Sequence, residues 1–418
     1  MPEAPQDGEQ APQARGLAGA RWYPIAVIGL AVLSHGGFSL SGQGFTPFYP
    51  FIQDDLGLTR TQVGLITGTI FGAATVTSAG FGWAIDRFGV RFVSGGFMVL
   101  SGAFVSLLAL TSSFLTVLLV AALMGSLRPV GHPAGTRAIM DWVGAKRRGT
   151  AMSIKQAGNP ILAATAAAVV PPLAVAFGWR TAAVALGCFI AVGGCLIVVL
   201  YRDRPGAAAA RKGGSLSFKE GMRRVMGNRD IALVVGFGFP LVGAQVATLT
   251  YFLLYLRDSL GVAVVVGGGL LAGLQASSFV MRIAWGVLSD TVGGGRRKPV
   301  LFVAATGAVA VLVLVAMLPA GTPVWALGLV AVALGATATS WVSVQNVLLA
   351  ELCEPGQVGT TIGYASMVGR SAIVIAPPLF GLIADGVGYK AAWLALAGAI
   401  ALGMGSLVPV RERGRGPV

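Results

Sequence analysis

The sequence predicts an all-α integral membrane protein, with twelve transmembrane helices in two pseudo-symmetric halves of six. Three observations lead there: a scarcity of charge, apolar blocks of membrane-spanning length, and an internal repeat. Only 11% of the 418 residues are charged, while 55% are hydrophobic. A soluble domain carries roughly a quarter charged residues, so this chain has too few to coat a water-exposed surface. Its apolar residues fall in blocks, and roughly 20 of them suffice to cross the hydrocarbon core as a helix. Inside lipid the backbone must satisfy its own hydrogen bonds, which leaves helices or closed barrels. The blocks are continuous rather than alternating, and that excludes the barrel.

Taken in order, residues 1–20 read as a disordered cytoplasmic tail. They are rich in Pro, Gln and Gly, and lack the basic start and short apolar core of a cleaved signal. A first half, 21–200, holds spans at 22–49, 62–85, 92–111, 115–140, 150–173 and 180–200. A cytoplasmic linker follows at 201–230, with a short surface helix expected at 215–226. The second half, 231–410, holds spans at 231–255, 263–288, 299–318, 323–349, 358–383 and 391–409, and a second tail covers 411–418.

Charge orients these spans. With the amino terminus inside, cytoplasmic segments hold 21 of the 30 Lys and Arg, and external loops hold four: Arg60, Arg180, Arg257 and Lys390. Such an asymmetry places both termini in the cytoplasm of a multi-pass cell-membrane protein. Topology thus accounts for most of the +14 net charge, and no nucleic-acid partner is expected. Cys188, Cys195 and Cys353 form no plausible extracellular pair. The chain is expected to work as a monomer in the bilayer.

The two halves resemble each other. Residues 47–57 align with 251–261, and Gly82…Asp86 with Gly286…Asp290, both at an offset of 204. Pro171-Pro172-Leu173 recurs as Pro377-Pro378-Leu379, and Gly178-Trp179-Arg180 as Gly388-Tyr389-Lys390. Parallel repeats of six spans are a transporter architecture.

Between the second and third spans the chain reads Gly82-Trp-Ala-Ile-Asp86-Arg87-Phe-Gly89-Val-Arg91. A weaker copy carries Gly286, Asp290, Gly293 and then Arg296, Arg297 and Lys298, with Thr291 where the first copy has a basic residue. The glycines permit close helix approach and a tight turn. Asp86 can pair locally or face a helix amino terminus. This pattern resembles the signature loop of the major facilitator superfamily, and with the repeat the resemblance covers about residues 20–410. It implies alternating access between two halves, with this loop as a latch favouring the outward-facing state.

Chemistry of other kinds finds no footing. Neither histidine belongs to a His-Glu-x-x-His zinc motif, no lysine follows a glycine as in a phosphate loop, and no Gly-x-Ser-x-Gly elbow occurs. No enzyme activity and no cofactor are expected, and without an ATP site transport must run on gradients.

Five basic residues fall inside spans: Arg128, Arg137, Lys155, Arg282 and Arg370. A charge at mid-bilayer costs about 2.5–3.5 kcal/mol on insertion scales, and it usually faces a cavity. Arg137 has Asp141 four residues on, a helical pair. Lys155 lies near enough to a span end to snorkel. None of the 16 acids sits mid-span, so a bound anion is the natural counter-ion for Arg128, Arg282 and Arg370. Arginine also suits bidentate carboxylate recognition.

Arg282-Ile-Ala-Trp-Gly286, with Asp290 following, resembles span eight of the oxalate–formate exchanger family. There the resemblance implies that Arg282 contacts a dicarboxylate and that Arg370 occupies the basic position of span eleven. The similarity is local. Arg370 stands where that family has Lys, and Arg128 and Lys155 are additions. Ser153-Ile-Lys155-Gln156-Ala-Gly158-Asn-Pro160 departs from the span-five motif of drug–proton antiporters.

These readings converge on a secondary carrier of a small organic anion, a carboxylate, working by exchange or proton symport. Arg282, Arg370, Arg128 and Lys155 are the expected substrate ligands, with Gln245 and Gln275 as neutral contacts. His35 and His132, the core groups that titrate near neutral pH, are the expected proton carriers. Proton-driven efflux of a hydrophobic compound is the alternative within the class, and a non-transporting receptor the alternative outside it.

Overall fold

The computed structural model describes residues 22–144, 147–203, 223, 225–291, 296–353 and 358–412, without the side chains of Ala79, Asp86, Val358 and Gly359. The first expected tail, residues 413–418 of the second, residues 204–222 and 224 of the linker with most of its expected surface helix, and Gly293 lie outside the described residues.

All regular structure among the described residues is helical. Before the linker come α1 (Tyr23–Leu40), α2 (Tyr49–Leu56), α3 (Arg60–Ser106), α4 (Phe114–Leu127), α5 (Gly131–Trp142), α6 (Arg148–Phe177) and α7 (Trp179–Leu200). After it come α8 (Arg229–Leu260), α9 (Val264–Asp290), α10 (Lys298–Met317), α11 (Val324–Thr337), α12 (Val342–Leu352), α13 (Val358–Gly386) and α14 (Tyr389–Leu407). Among the described residues, eleven stretches are long and apolar enough to cross a membrane. The first part of α3, from Arg60 to Gly89, stands where the second expected span lies.

Local chemistry sets the ends. Thr59 and Gln62 form a reciprocal capping box at the start of α3, and Ser113 and Thr116 do the same for α4. Gly57 and Gly261 close α2 and α8 in the left-handed region, at φ 62° and 69°, where glycine carries no Cβ penalty.

Spans two and three do stand apart within α3, as two helices broken at Gly89, whose φ 83° and ψ 159° are not helical. The structure corrects other expected spans. The first span stops at Leu40 and continues as a 3₁₀ segment, Gln43–Phe48, into α2. The fourth is interrupted at Arg128–Val130, where Pro129 brings no amide to the ladder. Its counterpart, the tenth, is interrupted at 338–341 between α11 and α12. There the hydroxyls of Thr339 and Ser340 bond back to Gly335 and Ala336. Irregular backbone at membrane depth is tolerated where it lines a cavity, and the first interruption does so through Arg128 and Pro129.

The halves meet along two seams, α3 against α13 and α6 against α9. Small residues make the contact close. A Cβ on Gly68 would sit 2.9 Å from the Val374 carbonyl oxygen, and one on Gly381 would sit 2.5 Å from that of Arg60. Across the α6–α9 seam, a Cβ on Gly268 would lie 2.5 Å from the Ala167 carbonyl.

Polar bonds between the halves gather at the end remote from the linker. The Arg60 and Thr61 amides donate to Asp385 at 3.1 and 2.8 Å. Arg257 donates to the Pro50 carbonyl, to Asp54 and to Gln53 at 2.7, 3.0 and 2.8 Å. Moving toward the linker end, the last such bond among the described residues is Arg370 to Ser78 at mid-membrane. The bundle is therefore fastened at its far end.

Candidate functional site

A cavity of about 450 Å³ opens between the halves at mid-membrane. Arg128, His35, His132 and Asn159 line it from the first half, and Arg282, Arg370 and Gln245 from the second. Five of the eight residues predicted to bind substrate or proton thus share one space with a sixth, Gln245; Lys155 and Gln275 do not line it.

Each guanidinium is held by weak or neutral partners. Arg128 sits at the unwound Arg128–Val130 segment, its Cζ 4.3 Å from the Phe71 ring centre, and its buried Nε has no hydrogen-bond partner. Gly42 makes room for it, since a Cβ there would sit 2.7 Å from that Nε. Arg282 donates at 3.1 Å to the Thr339 carbonyl freed by the interruption before α12, and its Nε is also unpartnered. Arg370 donates to Ser78 at 2.8 Å. Arg128 and Arg370, from opposite halves, repel each other. Among the described residues none of the three pairs with a carboxylate.

Arg137 behaves otherwise, bonding Asp141 at 3.1 Å near the linker end. Lys155 is 1% exposed and lies behind the cavity wall, donating to Thr136 Oγ1 at 2.8 Å and to the His132 carbonyl at 3.3 Å. It does not snorkel. Gln275 is buried within α9. The imidazoles of His35 and His132 meet edge to face, 5.6 Å between centres.

Asn159 was not singled out in the sequence. Its Oδ1 is buried in the cavity wall without a partner, and a buried amide oxygen wants a donor. Adjacent Pro160 was the available signal.

The signature loop sits at the linker end. Gly89 makes its turn, Arg87 is exposed, and Arg91 Nε donates to the Val198 carbonyl at the end of α7 at 2.6 Å. Asp203, just past α7, accepts from the Val90 amide at 2.7 Å and the Arg91 amide at 3.4 Å. Burial raises the Asp203 carboxyl above its usual range, and those two amides pull it back. The second half repeats the device. Glu412, past α14, accepts from the Arg297 and Lys298 amides at 2.6 and 2.5 Å, and Lys298 Nζ bonds the carbonyls of Val408 and Val410. Asp290 instead takes Arg297, which also reaches Ser289 and Glu351, and Gly286 leaves open space where a Cβ would stand. Gly82 is likewise open. The sequence did carry this signal, as Arg202-Asp203-Arg204 against Arg411-Glu412-Arg413, an offset of 209.

The sequence profile of the Major Facilitator Superfamily matches residues 30–377. An uncharacterised MFS-type transporter of Mycobacterium tuberculosis is 27% identical over 94% of this chain and 86% of its own length. The hexuronate transporter of Bacillus subtilis is 26% identical over 87% of this chain and 88% of its own. Among solved structures, a bacterial homologue of the human lysosomal transporter Spinster, in an inward-facing and occupied conformation, superposes with a TM-score of 0.79. It shares 13% identity over 93% of this chain and 97% of that one.

Proposed function

The chain belongs to the major facilitator superfamily, a family of transporters and not of enzymes, and we propose that it carries a small organic anion by alternating access. One observation carries this reading: Arg128, Arg282 and Arg370 line a single cavity from both halves without a carboxylate partner among the described residues. A carboxylate on the ligand supplies the missing counter-charge, and arginine grips it through two parallel N–H bonds. The unpartnered Asn159 oxygen adds a place for a ligand hydroxyl. A hydroxylated carboxylate satisfies both demands, and the likeness to a hexuronate transporter supports it.

The linker end is the cytoplasmic end in this reading, because the basic residues concentrate there. The far-end bonds then describe a carrier closed to the outside, with its cavity facing inward. Opposite ends must open in turn, and the signature loop and its second-half copy steady the helices that pivot.

Thermal unfolding of the purified protein with D-glucuronate, D-galacturonate, adipate and glucose tests the site, because a ligand of the folded state raises stability. Stabilisation by the acids and none by glucose is expected. Stabilisation by none of the acids, with no labelled hexuronate entering proteoliposomes, removes the reading.

A further inference from the structure

We propose that Lys155 is where this carrier binds a coupling proton, which travels with the anion. The proposal rests on the anion reading above and adds to it the identity of the second cargo.

Lys155 occupies a built site away from the substrate's space. Its stem lies along Gly135 of α5, where a Cβ would come within 2.9 Å of the lysine Cδ. The amine has two acceptors, Thr136 Oγ1 and the His132 carbonyl. Thr136 spends its own hydrogen on the His132 carbonyl at 2.8 Å, so it can only accept from the lysine. Two acceptors match the two N–H groups of a neutral amine, and an ammonium brings a third. No carboxylate among the described residues pairs with it.

The surroundings fix when that third proton is tolerated. From α1 Lys155 is faced by His35, and from α5 by His132. His35 in turn lies in the field of Lys155, His132 and Arg128 together. From α7 and α9 no ion pair or hydrogen bond reaches it among the described residues. The three arginines of the cavity keep their charge throughout. Only Lys155 and the two histidines can shed one. The histidine rings line the cavity and can exchange protons with its water in either state. Lys155 is buried and does not line that cavity, so a proton there is occluded together with the anion. An anion on the arginines offsets the field and admits the proton; its departure favours release. The cargo is therefore one anion plus one proton.

The test uses proteoliposomes of the full chain with a pH-reporting dye inside and D-glucuronate added outside. Counterflow of labelled D-glucuronate is measured on the same vesicles. The wild type should acidify its lumen as the anion enters. Lys155→Arg, which cannot shed its charge, should lower the ratio of acidification to counterflow at least tenfold. Lys155→Met should lower it too, which covers a failure of the bulkier arginine to fold. The His35→Gln/His132→Gln double variant is measured alongside. Wild-type counterflow without acidification, or an unchanged ratio in Lys155→Arg, would overturn the proposal and leave the anion reading standing. A ratio lost only in the double histidine variant overturns it as well. Absence of wild-type counterflow would remove the anion reading, and this proposal with it.

Discussion

The hydroxyl of Tyr251 on α8 donates to the main-chain carbonyl of Arg60 at 2.6 Å, across the boundary between the halves. The same hydroxyl lies 2.9 Å from the Pro377 carbonyl, and the ring stacks on Phe380 with 4.5 Å between centres. One side chain thus ties together the three helices whose separation would open the far end.

Tyr251→Phe keeps the ring and removes the tie. A net hydrogen bond is worth about 1 kcal/mol, so the population should move roughly fivefold toward the far-end-open state. Labelling of single cysteines placed on either side of the cavity measures the shift. An unchanged labelling ratio would show that the seam alone holds the closure.

Arg282→Ala and Arg370→Ala should each abolish hexuronate entry without lowering expression. Each removes a charge-assisted contact of about 1.5–3 kcal/mol, a loss of roughly ten- to 150-fold in affinity. Binding followed by thermal unfolding reports it. Normal uptake by both variants would end the anion-clamp picture.

Gly42→Ala tests Arg128 without touching it. The backbone at Gly42 has φ −117° and ψ −69°, outside the left-handed region, and the added methyl meets the Arg128 Nε, Cδ and Cζ. Anion affinity should fall roughly tenfold with the fold intact. Equal affinity would place Arg128 outside the site.

The tether at Asp203 behaves as a helix cap. Asp203→Ala should cost about 0.5–2 kcal/mol, whereas Asp203→Asn keeps an acceptor and should cost little. Because burial raises the carboxyl above its usual range, the acid's contribution is fullest below the ordinary carboxylate value and declines as pH rises through the raised one. The Asn variant should therefore gain on the wild type across that window. Parallel unfolding curves against pH would contradict this.

The fold was readable because lipid imposes it: apolar length, loop charge and the repeat each follow from the solvent. The cavity was readable in part, since arginines inside spans have few places to go, and Arg128, Arg282 and Arg370 do converge. Lys155 could not be placed from its position along the chain. Whether a lysine snorkels or turns inward depends on which neighbour leaves room, and Gly135 leaves it. The Asp203 and Glu412 tethers are half legible: the repeat marks the two acids, while their main-chain amide partners leave no trace in side-chain identity.

The α3–α13 seam is built backbone against backbone, through Gly64, Gly68 and Gly381. Parting it exposes main-chain carbonyl oxygens as well as hydrocarbon. Apolar exposure raises heat capacity and polar exposure lowers it, so the two contributions oppose each other when this seam opens. The balance between the two states of the carrier should then follow a nearly straight van 't Hoff line over the growth range.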